Sequence, residues 1–229
     1  MLGHEPLQDR LETRGFTLSA LVLAWCLGLV AVRVFRTGSP YFLFLVWNLF
    51  LACVPLAASR TLALMNRRGV STWVQGTLFC LWLLFLPNAP YIVTDLVHVA
   101  PPTGVLSWYD SGMVLSCAGA GLLLGYLSLR DMQQLVERRL GNTAGWLMTA
   151  SASILSGFGV YLGRVLRWNS WDVLTDPVAF FGSVAKLLAN AGSHAHTYLV
   201  TLLFGLGLLL SYTALYFLTA IERNVHRKL

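Results

Sequence analysis

The stretch Phe85-Leu86-Pro87-Asn88-Ala89-Pro90-Tyr91-Ile92-Val93-Thr94-Asp95-Leu96-Val97-His98 ends a long apolar run with closely spaced polar groups. Its two prolines each remove a backbone N–H and crowd the preceding turn, so a helix arriving here cannot continue regularly and the chain bends. Beyond the bend, Tyr91, Thr94, Asp95 and His98 stand at offsets of 0, 3, 4 and 7. At the α-helical repeat this spacing gathers all four on one face of a new helix, with Ile92, Leu96 and Val99 on the other.

The run leading into this stretch is one of six. Apolar segments near the roughly 20 residues that cross a hydrocarbon core extend over residues 16–35, 41–59, 70–86, 111–129, 144–166 and 196–221. Hydrophobic residues make up 56% of the 229 and charged residues 11%, against about 25% charged in ordinary soluble domains. Mean hydropathy is +0.66. The expected fold class is an all-α membrane protein, a six-span transmembrane helical bundle. It divides into an N-terminal segment (1–15), a membrane domain (16–221) and a basic tail (222–229). The first run has no small-x-small cleavage pattern directly after it and reads as a retained anchor.

Charge sets the expected orientation. With the N-terminus in the cytoplasm, one side carries Arg10, Arg14, Arg60, Arg67, Arg68, Arg130, Arg138, Arg139, Arg223, Arg227 and Lys228, which is 11 cations, and the other Arg33, Arg36, Arg164, Arg167 and Lys186, which is 5. The positive-inside rule then favours both termini cytoplasmic, with the lipid bilayer as the primary partner. The net charge of +6 has the same origin, and nucleic acid is not an expected partner. Cys26, Cys53, Cys80 and Cys117 fall one in each of the first four runs without a C-x-x-C pair, so they read as small apolar fillers.

A second polar cluster, Tyr161-Leu-Gly-Arg-Val-Leu-Arg-Trp-Asn-Ser-Trp-Asp172, closes the fifth run. Asp176 as N-cap, Pro177 at the first helical position and Gly192 past the end bracket a short helix over residues 178–191. At about 21 Å it is too short to span easily, so it is expected to be interfacial or re-entrant. Asn169–Asp176 matches Asn88–Asp95 at three of eight positions, an echo that a repeated helical hairpin produces. The pairs Gly121/Gly125, Ser153/Gly157 and Gly159/Gly163 have the spacing that lets helices approach closely.

Both clusters fall on the expected extracytoplasmic side, where ionisable groups next to a bilayer mark a candidate site. Asp95 and His98 are the candidate catalytic base or metal ligands. With His194 and His196 they supply nitrogen and carboxylate donors of the kind that hold a divalent metal and activate water. Asn88, Tyr91, Asp110, Arg164, Arg167, Asn169 and Asp172 are the candidate ligand-binding residues, the arginines suiting a phosphate or carboxylate. Trp108, Tyr109, Trp168 and Trp171 sit at expected boundaries and fit an aromatic belt. No nucleophile elbow, P-loop or dinucleotide fingerprint is present.

Two function classes match this pattern. One is a membrane enzyme or binder of a lipid or small anion, acting on a lipid-linked or envelope substrate. The other is a non-catalytic scaffold or accessory subunit in which the same polar residues tie the spans together. The motifs Phe85–Asp95 and Tyr161–Asp172, in that order, resemble a family of bacterial multi-pass membrane proteins, domain of unknown function 1361. The resemblance covers most of the chain from the second span onward. It implies a multi-span inner-membrane protein with two outward-facing motifs, and no activity.

Overall fold

The computed structural model describes residues 7–98, 105–189 and 195–226. Their regular structure is all helical, with no strand among them: α1 (Leu7–Thr37), α2 (Leu43–Arg67), α3 (Thr72–Phe85), α4 (Asn88–Tyr91), a 3₁₀ segment (Ile92–His98), α5 (Val105–Leu140), α6 (Asn142–Arg164), α7 (Asp172–Thr175), α8 (Pro177–Ala189) and α9 (Ala195–His226). Six stretches are long and apolar enough to cross a membrane, and the molecule is a multi-pass membrane protein. The helix centred on α5 is the hub, packed by α1, α2, α4, the 3₁₀ segment and α6, while α9 lies along α6.

The helices overrun the expected spans, most of all in the third and fourth. α5 runs for 36 residues, about 54 Å at 1.5 Å per residue, well beyond a hydrocarbon core of about 30 Å. Its last turns take in Asp131, Glu137, Arg138 and Arg139, beyond the apolar run over residues 111–129. These are residues that hold a helix, and Gln133 Nε2 donates to Glu137 Oε1 one turn on (2.7 Å). The third apolar stretch likewise runs from Thr72 to Val97, past the expected stop at residue 86.

The prolines divide that stretch without ending it. Leu86 N–H closes on Trp82 O (2.9 Å), Ala89 N–H on Leu86 O (3.1 Å) and Tyr91 N–H on Pro87 O (3.0 Å). The interruption that proline requires therefore falls between three helical pieces. The last piece corrects the expected amphipathic helix: it is wound as 3₁₀, where residues three apart eclipse. Ile92 and Asp95 come into line and are both buried, while Leu96 and Val97 are exposed.

The small-residue pairs have a more specific use than helix packing alone. Ser153 and Gly157 do bring α6 onto α9, where a Cβ on Gly157 would strike the backbone of Thr201 and Gly205. The other two pairs seat the proline turn. A Cβ at Gly121 would lie 2.7 Å from Ala89 O, and one at Gly125 2.8 Å from Ala89 Cβ. From the opposite side, Gly159 faces Pro87 and Gly163 faces the Tyr91 ring. The turn is held between α5 and α6 because both helices lack side chains there.

Candidate functional site

Asp95 has one per cent of its surface exposed. Asn48 Nδ2 of α2 donates to Asp95 Oδ2 at 2.7 Å, and Arg164 Nη1, at the end of α6, reaches Oδ1 at 3.5 Å. Arg164 Nη2 also donates to Thr94 O (3.2 Å), and the guanidinium lies over the Tyr91 ring at 6.0 Å. A buried carboxylate needs such partners, since an unpaired charge there is strongly unfavourable.

A second tie joins the two motifs. Asn88 Nδ2 donates to Phe85 O (2.9 Å) and to Ser170 Oγ (3.1 Å), and Ser170 Oγ donates to Leu84 O (3.1 Å). Carbonyls at the end of α3, where the prolines withdraw donors, are thus satisfied by side chains, one of them from the second motif.

The second motif turns sharply. Arg167 takes a left-handed conformation (φ 61°), rare for a side chain other than glycine, asparagine or aspartate, and Trp168 N–H returns to Leu162 O (3.1 Å). Asp172 Oδ2 accepts from Asn169 N–H (2.6 Å) and Asn169 Nδ2 (3.2 Å), which closes the loop. Asp176 Oδ1 accepts from Ala179 N–H (3.2 Å) as the cap of α8. The two echoing octets differ locally: a short helix covers the first four positions of one (Asn88–Tyr91) and positions four to seven of the other (Asp172–Thr175).

Between α2, α3, α6 and α8 lies a cavity of about 690 Å³, bordered by Pro87, Asn88 and Tyr91 of the first motif and Trp168–Trp171 of the second. Its wall is mainly apolar, with Asn48, Asn88, Asn169 and Ser170 as hydrogen-bonding groups, a proportion usual for small-molecule sites. Trp47 and Trp171 meet edge to face at 6.0 Å beside it.

Of the sequence-predicted residues, Asn88, Tyr91 and Asn169 border this cavity. Asp95 and Arg164 stand behind it, paired with each other. Asp110 is elsewhere, in a two-pronged pair with Arg33 of α1 (2.5 and 2.9 Å). Arg167 is exposed, and Asp172 serves the loop's own backbone. His196 is exposed, its ring 6.2 Å from that of Tyr161. His98 lies in the 3₁₀ segment, its side chain outside the described residues, and His194 is outside them altogether. Among the described residues no three metal-ligating side chains stand together. Asn48 and Ser170 are contributors that sequence reading missed. A lone asparagine in the second apolar run was the available signal for the first of them.

A family model described as a protein of unknown function (DUF1361) matches residues 47–211, which takes in both motifs. No curated protein and no solved structure matches the chain.

Proposed function

The chain belongs to the DUF1361 family of proteins of unknown function, and for it we propose a role as a binding protein for an anionic, chain-bearing lipid or lipid-linked envelope compound. In this reading the bundle sits in a bacterial inner membrane with both termini cytoplasmic, and the cavity opens towards the extracytoplasmic side, as the 11-to-5 distribution of cations favours. The observation that carries it is the 690 Å³ cavity, apolar over most of its wall and bordered by both motifs. The hydrocarbon chain occupies the apolar wall, Asn88, Asn169 and Ser170 hydrogen-bond the polar head, and Arg167 meets the anionic group. Asp95 is then a positioning residue for Arg164 rather than a base, because its two oxygens are engaged by Asn48 and Arg164.

The test is binding of a polyprenyl phosphate to the purified chain in detergent, followed by native mass spectrometry. Val184 of α8 borders the cavity, and Val184→Trp, which fills it, is expected to weaken binding about tenfold, worth about 1.4 kcal/mol. Undiminished binding in that variant overturns the assignment. The rival reading, a non-catalytic scaffold, draws on the Asn88–Ser170–Leu84 chain of hydrogen bonds, which ties the motifs together without any ligand.

A further inference from the structure

A second cavity, of about 340 Å³, lies beside the first. The two share Leu155 and Phe158 of α6, and Ile154 of α6, Leu187 of α8 and Thr197, Tyr198 and Thr201 of α9 complete the smaller one. Its wall is apolar except for its hydroxyls. Two of these, Thr197 Oγ1 and Thr201 Oγ1, are buried without a hydrogen-bond partner, and Thr197 is only 5% exposed.

Threonines elsewhere in these helices behave differently. Thr61, Thr77, Thr149 and Thr213 each donate to the carbonyl one turn back, the ordinary way to satisfy a helical hydroxyl in an apolar setting. Thr197 and Thr201, one turn apart on α9 and so on one face, line the same space with their hydroxyls unpartnered, and Thr201 forgoes the bond to the carbonyl one turn back. A buried donor without an acceptor is unfavourable. Water is a poor occupant of the whole space: one molecule between the two hydroxyls leaves most of the 340 Å³ empty, and apolar walls give additional molecules too few partners. The occupant that fits both requirements has hydrocarbon for the walls and acceptor oxygens for the two hydroxyls.

We infer that this second cavity is a binding site for a diacyl lipid, whose ester carbonyls accept hydrogen bonds from Thr197 and Thr201 while an acyl chain fills the space against Leu155, Phe158 and Leu187. The ester linkage distinguishes this ligand from the polyprenyl compound of the larger cavity. The inference rests on the orphaned hydroxyls and is independent of that assignment.

The experiment compares two lipids on the full purified chain by native mass spectrometry: a diacyl phosphatidylcholine and its dialkyl ether analogue of equal chain length. The ester lipid is expected to bind about tenfold more tightly, and Thr197→Val with Thr201→Val to lower its affinity to that of the ether. Equal affinities for ester and ether in the parent chain overturn the inference, as does an ester preference that survives in the double variant. The parent-chain comparison decides the matter even where the variant fails to fold. Because polyprenyl phosphate has no carboxylic ester, failure here and failure of the larger site are read separately.

Discussion

Arg164 and Asp95, 69 positions apart in the chain, meet at 3.5 Å between the end of α6 and the 3₁₀ segment. The pair is unequal: the Asp95 side chain is 2% exposed and that of Arg164 28%. Removing the carboxylate takes a charge partner from a partly hydrated cation and an acceptor from the Asn48 amide, whereas removing the guanidinium takes the charge partner at 3.5 Å from a buried anion. Asp95→Ala is expected to destabilise by about 2 kcal/mol, and Arg164→Ala by about 3–4 kcal/mol. Denaturant unfolding in detergent at neutral pH measures both. An Arg164→Ala cost no greater than that of Asp95→Ala at neutral pH counts against this account.

The seating of Ala89 is testable with two substitutions on one helix. Gly121→Ala places a Cβ 2.7 Å from Ala89 O, whereas a Cβ added at Gly119, two positions away, would meet nothing within 4 Å. Overpacking is expected to make Gly121→Ala unfavourable by about 1–3 kcal/mol. Gly119→Ala, an unobstructed glycine replaced in a helix, is expected to be neutral or to gain about 0.5–1 kcal/mol. Equal melting temperatures for the two variants would contradict the clamp.

Six spans, the bracketed helix after Asp176 and the meeting of two distant motifs are legible in the chain itself. Bilayer thickness imposes run length on sequence, and the cap at Asp176 is a local chemical requirement. The winding of Ile92–His98 was not legible, because α and 3₁₀ repeats differ by too little over seven residues for side-chain order to separate them. Nor was the partner of Asp110: Arg33 is 77 positions away, and only packing of α1 on α5 brings it there. The continuation of α5 over residues 130–140 was not legible from the apolar run either, because a helix that projects beyond the hydrocarbon carries charge at no cost.

Arg167 offers a variant whose stability and binding effects have opposite signs. Glycine accepts the φ of 61° found there freely, so Arg167→Gly is expected to gain about 1 kcal/mol in unfolding stability. The same change removes the cation assigned to the anionic head and is expected to lower polyprenyl phosphate affinity about fivefold. A stabilised variant with unchanged affinity removes Arg167 from the site.

The hydrogen bond from Asn88 to Ser170 spans 82 positions, and that interval is also a delay. At about 5–20 residues per second, synthesis separates the two residues by roughly 4–16 s. During that time the third span sits in the bilayer with the proline turn unclamped on one side and Leu84 O lacking the Ser170 hydroxyl. Completion of the fifth span is therefore the event that locks the third in place. A chain that stops before Ser170 has no hydroxyl from the second motif to offer Leu84 O and Asn88.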